Sequence, residues 1–514
     1  METNPSATSP VVEAEETVYS SRYSNNGASP MWCFNSTCIV RQGDEVFVSG
    51  YERIPGAPPM NDCRWALWQR TADGWVRRQA DETGRQREPC PLGRLPGGRI
   101  LLSSNPTLLP TSAAGGGPAR PELLVFDRAA PTPPPIVLHP VWQGSPPFSQ
   151  HSYRTLAVDA ATGEAILLQN ANYTHSEWAL RRADGTWSSG QLAWPAHAPT
   201  DMAPFGASHA RVNYPVVAMK DRAVHFCGQA AYDNWDRVKT PADLGLGSDP
   251  NAPGASGMAA RQRGNRFRRL LYTWTAKIGE QPFSDWLEID NTFADGGWLF
   301  ATDLHVDANG TVHLLWFRSP MLPTVRDKCY PDIQRVYSIR YATLRDGKVL
   351  SRRTLVAAGE GAGPAIPTDL DQVGRPYVLD NGETILGDAI PTHRFHATPD
   401  GGLFLVYYVS DGGGLSENRL LAITPDATPS KPVVIPLRHP LTQFFTASPR
   451  AGGTPSWTLD LLGHRRGGWR TAEGADGREW EGVVSYARVR LDAGGDHAVE
   501  RGLPSGWGDA RLKP

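Results

Sequence analysis

Hydrophobic and polar positions alternate in short runs along most of the chain, and the runs come in pairs. Each pair is an apolar strand, a turn rich in Gly, Asp or Asn, and a second apolar strand. The copies are CIVRQGDEVFVSG from Cys38, CPLGRLPGGRILLSS from Cys90, LAVDAATGEAILLQN from Leu156, PVVAMKDRAVHFCG from Pro215, LHVDANGTVHLLWF from Leu304 and FHATPDGGLFLVYY from Phe395, with a looser seventh, FFTASPRAGGTPSWTLDLLG, from Phe444. A third alternating run follows, as in WALWQRT (65–71), ELLVFDR (122–128), EWALRRA (177–183), RLLYTWT (269–275), VYSIRYATL (336–344) and NRLLAIT (418–424). Three strands and a less regular fourth make a sheet too small to bury its faces alone, so successive sheets must pack around an axis and close. The pattern predicts an all-β fold, a single β-propeller of about seven four-stranded blades, with ETVYSSR (16–22) available to close the ring. A disordered leader is expected over 1–15, the propeller over 16–500 and a C-terminal tail over 501–514. The competing arrangement is a pair of β-sandwiches with coincidental hairpins.

Composition supports many short strands: Gly 52 and Pro 45 punctuate turns, while 17 Trp, 15 Tyr and 15 Phe supply strand-favouring rings. Lys+Arg 51 against Asp+Glu 53 gives a net charge of -2, without the basic excess that holds a phosphate backbone, so nucleic acid is not an expected partner. The longest apolar runs, such as LFLVYYV (403–409), are strand-sized, well short of the roughly 20 residues that cross a bilayer, so no membrane association is expected. METNPSATSPVVEAEETVYSS lacks the basic and apolar regions of a secretory signal. This points to the cytoplasm, or to a secreted protein whose true N-terminus lies further upstream. Six cysteines, at 33, 38, 63, 90, 227 and 329, are too sparse for a disulfide scaffold and read as buried thiols. A disulfide or two near the N-terminus, or zinc at Cys33 and Cys38, are minor alternatives.

The turns QGD, PGG, ATG, KDR, ANG and PDG are short and generic, which makes their face of the ring a plain one. The opposite face carries the segments that enter each first strand and leave each second strand. There lie Asn35 and Ser36, His151 with Tyr153 and Arg154, Asn170 to His175 with Asn172, His209 with Arg211 and Tyr214, Asp303, and His393 with Arg394. Loops gathered on one face of a rigid scaffold are where binding residues concentrate. His305 and His313 lie inside strands and read as packing residues, and Tyr214 could equally plug the axis with its ring. His151, His175 and His209 could together hold a divalent ion, although no cofactor is expected.

The hairpins, with RRADGTW (181–187) after one of them, resemble the BNR-repeat propellers, a group that includes sialidases and propeller-type polysaccharide lyases; Arg182 stands where a full Asp-box has Ser or Thr. HSYRTLAVD with His151, NANYTHSEWAL with His175, and RVNYPVV with Arg211 and Tyr214 resemble, in order, the site of ulvan-lyase-type enzymes. The resemblance implies a carbohydrate-active enzyme cleaving a uronate glycan by β-elimination. Such chemistry needs a cation on the carboxylate, a base for the C5 proton and an acid for the leaving oxygen. Arg211 or Arg154 would neutralise the carboxylate, His175 or His151 would take the proton, and Tyr214 would act as base or acid. Asn170, Asn172, His209, Asp303, His393 and Arg394 would bind the glycan. Two other classes remain open. A glycoside hydrolase, sialidase- or rhamnosidase-like, would draw on Glu177, Asp303 or Glu417; a non-catalytic propeller would bind glycan or protein with its Trp rings.

Overall fold

The protein, seen as a computed structural model, is described over residues 9–22, 24, 26–129, 131–196, 211–230, 267–321, 326–327, 330–362, 376–378, 384–386, 392–410, 416–424, 430–471 and 480–491. Six antiparallel sheets of four strands follow one another over 39–80, 92–138, 155–193, 213–291, 298–359 and 394–435, and are numbered blades 1 to 6. Blade 7 combines the strands Leu441–Thr446, Thr458–Thr471 and Trp480–Leu491 with the N-terminal strand Pro10–Arg22, and a small hairpin, Pro376–Val378 and Thr384–Leu386, extends its sheet. The first strand of each blade packs against the first strand of the next, and blade 7 returns to blade 1. The chain is a seven-bladed β-propeller.

Each of the seven apolar hairpins forms the first and second strands of a blade, because alternation and turn chemistry are local signals that the ring leaves intact. Second strands are buried on both faces, as in Glu164–Ala171 and Leu403–Ser410, since a blade is sandwiched between two others. Fourth strands such as Gly74–Ala80 face solvent and are the least regular. Closure falls to Pro10–Arg22. It pairs with Trp480–Leu491, while Tyr19 stacks on Trp68 and Glu16 binds Arg70 and Trp75 of blade 1. The expected leader is therefore corrected: residues 10–15 are strand, held because an open sheet edge is satisfied by pairing. The expected tail, 501–514, lies outside the described residues.

The axis is filled from both ends. On the loop-rich side, residues 31–37 enter the ring from blade 1: Asn35 Nδ2 donates to the Arg154 carbonyl at 2.8 Å, Ser36 Oγ lies 2.9 Å from Thr155 Oγ1, and Thr37 Oγ1 donates to the Thr446 carbonyl at 2.9 Å. On the plain side, the blade 7 turn crosses to blades 2 and 3, where Arg94 N–H donates to the Ala451 carbonyl and Val158 N–H to that of Arg450, both at 2.8 Å. The crossing is tight. A Cβ on Gly452, whose φ is +82°, would come within 2.1 Å of the Arg94 carbonyl oxygen. The irregular seventh hairpin thus owes its form to filling the axis, and the plain face is not uniform.

Between the two plugs lies a buried ionic layer. Arg450 Nε donates to Asp303 Oδ1 at 2.8 Å and its Nη1 to the Asn35 carbonyl at 2.6 Å. Asp303 also accepts N–H bonds from Phe395 at 2.9 Å and Leu304 at 3.0 Å. Arg394 donates to the carbonyls of Thr302 and Phe34, and Arg154 to Glu88 and the Pro89 carbonyl.

Candidate functional site

Above the plug, the strand-entering segments of blades 3 and 4 and one loop of blade 3 bring five side chains together. Tyr153 lies just before the first strand of blade 3 and Tyr214 at the start of the first strand of blade 4, and their rings meet edge to face at 4.6 Å. His151 lies 4.4 Å from the Tyr153 ring, and its Nδ1 is 2.9 Å from the Tyr173 hydroxyl. Arg211 sits over Tyr173 at 3.9 Å and over Tyr153 at 4.9 Å, and donates to the Tyr153 hydroxyl. Trp32 and Phe34, on the plug, complete the wall against Tyr214 at 5.8 and 5.4 Å. The mouth of the axis is thus an aromatic cup with one guanidinium and one imidazole set into it. A cavity of about 10 Å³ lies beneath it, between Tyr153, Tyr214, Glu88 and Arg154, which is room for about one water.

The backbone here is strained. Among the described non-glycine residues, eight have positive φ, and four of them belong to this mouth: Tyr153 at 43°, Asn172 at 51°, Tyr173 at 57° and Tyr214 at 43°. Each such residue costs on the order of 1–3 kcal/mol, and such residues persist only where packing over-determines them. Tyr214 carries a further constraint, since Pro215 follows it and disfavours helical backbone. The rings are aimed by the strain.

Burial, with the charges of Arg87 and Arg211 nearby, holds His151 well below the ordinary imidazole range, so it is neutral at pH 7. Its Nε2 is buried and meets no hydrogen-bond partner among the described residues. A neutral imidazole with one nitrogen fixed by a tyrosine hydroxyl is an acid–base group held in a defined orientation.

Of the residues singled out from sequence, the structure brings His151, Arg211 and Tyr214 together. His175 turns to Glu177, with Nε2 to Oε1 at 2.9 Å and Nδ1 at 2.8 Å from Thr174 Oγ1, and Gln191 donates to the same Glu177 oxygen. Asn170 is buried, its N–H bonded to the Ser152 carbonyl, while Asn172 is exposed at the loop tip. Asp303, Arg154 and Arg394, expected to bind the glycan, lie in the ionic layer below the plug, each 3% exposed or less and engaged there in buried hydrogen bonds. Arg154 follows Tyr153, whose left-handed backbone (φ 43°) sets its ring in the cup, while the Arg154 guanidinium is buried on Glu88. His393 is fully buried against the Tyr337 hydroxyl, and burial lowers it to about 3. Glu417 pairs with Arg419 at 2.8 Å. His209 lies outside the described residues. His313 bonds the Tyr341 hydroxyl at 2.7 Å and packs against His305, a packing role as expected.

Sequence reasoning overlooked Tyr173, Trp32, Glu88 and Arg450. The recurrence of Tyr at the start of two successive first strands, in HSYRT and VNYPV, is a usable signal for the cup. Among the described residues no group of three His, Cys, Asp or Glu side chains is placed to hold a metal ion, and no helix is long and apolar enough to cross a membrane.

No protein-family model matches the chain, and no curated protein matches it. Among solved structures it is similar to an α-L-arabinofuranosidase of Fusarium graminearum, at 12% identity and TM-score 0.39, covering 78% of this chain and 91% of that one. An α-L-arabinanase of Penicillium chrysogenum complexed with arabinobiose aligns at 9% identity and TM-score 0.33, covering 92% and 93%. An exo-β-1,3-galactanase of Clostridium thermocellum aligns at 10% identity and TM-score 0.34, covering 88% and 94%. These names are those of glycoside-cleaving enzymes rather than lyases, and likenesses of this strength leave the reaction to be argued from the site.

Proposed function

We propose that this propeller is carbohydrate-active, taking a glycan into the aromatic mouth and hydrolysing a glycosidic bond there. The observation that supports it is the Tyr153–Arg211 pair, a phenol whose oxygen accepts a guanidinium hydrogen bond within a cup of rings suited to sugar faces. Tyr153, its oxygen held by the Arg211 guanidinium, is the nucleophile in this reading, of the kind some glycoside hydrolases use in place of a carboxylate. The His151–Tyr173 pair is the acid–base couple that moves the proton.

Hydrolysis is favoured over β-elimination because elimination needs a cation given over to the uronate carboxylate, and Arg211, the guanidinium of the mouth, is engaged with the Tyr153 hydroxyl and the Tyr173 ring. Arg154 and Arg394 are committed beneath the plug to Glu88 and to main-chain carbonyls. Elimination is the second reading, and the neutral His151 beside Arg211 is what favours it.

One screen of neutral and uronate-containing oligosaccharides separates the classes. Reducing ends without ultraviolet-absorbing product mean hydrolysis, and an unsaturated uronate means elimination; binding without either is a non-catalytic propeller. In the hydrolytic case Tyr153→Phe abolishes turnover while glycan binding persists, and His151→Ala lowers kcat by about 10²–10⁴-fold. Undiminished turnover in Tyr153→Phe overturns the assignment.

A further inference from the structure

The ionic layer under the plug holds more positive than negative charge. Among the described residues its guanidiniums are Arg154, Arg394 and Arg450 and its carboxylates are Glu88 and Asp303, each 5% exposed or less, so one positive charge is left over. Asp303 is spent on Arg450 Nε and on the N–H groups of Leu304 and Phe395. Glu88 is spent on the Ser152 N–H at 3.0 Å, the Ser152 hydroxyl at 2.5 Å and Arg154 Nη1 at 3.5 Å. Arg394 donates only to carbonyls, those of Thr302 and Phe34, among the described residues. Burial lowers it to about 10, so it is still a cation at pH 7.

A buried charge without a counterion is costly, and it persists where something of opposite sign neutralises it. The three guanidiniums meet the plug at consecutive residues. Arg394 Nη2 holds the Phe34 carbonyl at 3.1 Å, Arg450 Nη1 holds the Asn35 carbonyl at 2.6 Å, and Arg154 lines the small cavity beneath the cup together with Cys33 and Asn35. Three donors of the layer are buried and meet no hydrogen-bond partner among the described residues: Arg154 Nε, Arg394 Nε and Arg450 Nη2. Glu88 is the one carboxylate in the cavity wall, and its oxygens are already turned to Ser152 and Arg154. Water in the cavity would satisfy a donor and leave the charge. A small anion does both, and in a layer shut off from water its attraction carries across several side chains.

We propose that the axis of the ring carries a structural halide site, in which one chloride sits in the cavity beneath the cup, accepts the Arg154 Nε–H and neutralises the surplus charge of the layer. A cavity with room for about one water suits a monatomic ion, whereas sulfate, phosphate and carboxylates are too large for it. The site exists only in the closed ring. Arg154 enters blade 3, Arg394 opens blade 6, Arg450 lies in the blade 7 turn and the plug precedes blade 1, so an unfolded chain cannot bring them together. Chloride therefore binds the folded state alone and stabilises it by mass action. The site lies below the cup and stands whether or not a glycan is cleaved above it.

Crystals of the full chain grown with sodium bromide in place of sodium chloride, and measured at the bromine absorption edge, test it directly. An anomalous peak is expected in the cavity between Asn35, Glu88 and Arg154, within hydrogen-bond reach of Arg154 Nε. No peak there, or bromide on the outer surface only, overturns the proposal. In solution the urea midpoint should be higher in sodium chloride than in sodium gluconate at equal ionic strength, and should climb with the logarithm of the chloride concentration. Equal midpoints in the two salts overturn it as well. Arg394→Met, which removes the surplus charge and keeps the bulk, should bring the two midpoints together, and an undiminished chloride response in that variant counts against the site. The wild-type crystal and the wild-type midpoints decide the matter even where the variant fails to fold.

Discussion

Replacing Asp303 with Asn tests whether the axis is a structural tie. The carboxylate of Asp303 is 1% exposed and its partner Arg450 is 2% exposed, so neither charge is solvated by water. Oδ1 takes the Arg450 Nε–H and the Leu304 N–H, and Oδ2 takes the Phe395 N–H, while the other arm of Arg450 holds the Asn35 carbonyl. One side chain therefore joins blades 5, 6 and 7 and, through Arg450, the plug. In Asn the shape survives, but one oxygen becomes an amide that faces an N–H donor, and Arg450 is left as a buried charge without its counterion. Breaking a buried pair on one side costs about 3–5 kcal/mol, with the orphaned donor counted within that figure. Against a typical total of about 5–15 kcal/mol this is a large fraction. Urea unfolding followed by tryptophan fluorescence measures it. Arg450→Met should cost a similar amount, and the double variant less than the sum, because removing both charges removes the uncompensated one. A loss under about 1 kcal/mol for Asp303→Asn, or strict additivity in the double variant, would refute the reasoning and return Asp303 to the list of possible ligand contacts.

Acid should weaken the fold early. Burial holds His225, His396 and His464 at about 4 and His393 at about 3, against about 6.5 in an unfolded chain. The unfolded chain therefore binds more protons between pH 6.5 and 4, so stability is full above 6.5 and falls with pH, by up to about 1.4 kcal/mol per pH unit for each histidine. An unchanged urea midpoint from pH 7.5 to pH 5 contradicts this. Removing residues 1–22 should open the ring, since the strand Pro10–Arg22 is the fourth of blade 7, and size-exclusion chromatography should show aggregates in place of the parent species. A monodisperse, cooperatively unfolding truncation would show that closure does not depend on that strand. By contrast Glu16→Gln, which removes the charge of the half-exposed pair with Arg70 and leaves one oxygen to accept from Trp75, should cost no more than about 1 kcal/mol by the same urea assay.

The blades were legible in the chain because their signals are local. LHVDANGTVHLLWF carries its own turn and its own alternation, and becomes the strands Trp298–Val306 and Val312–Ser319 with His305 opposite His313. The same holds for the other hairpins, and even for ETVYSSR as the closing strand. The leader was misjudged because an acidic stretch such as VVEAEE has no partner in its own sequence; its partner, Trp480–Leu491, is at the other end of the chain. The mouth was half legible. His151, Arg211 and Tyr214 stood out by residue type and by position ahead of the strands, whereas Tyr173 and Trp32 join them only through the approach of a loop and of the plug.

By itself, then, the sequence determined an all-β ring of seven blades, its strand pairs and the face that carries the unusual residues, since each rests on contacts between near neighbours. Which polar residues reach the mouth and which are spent in the axis was decided only by the tertiary structure. Tyr153 and Arg154 are adjacent, yet one lines the cup and the other is buried on Glu88, 66 residues away. Asp303 meets Arg450 across 147 residues. The physical reason is closure: a ring turns the ends of distant strands toward one axis, and whatever charge is buried there must be paired, whatever its residue type suggested along the chain.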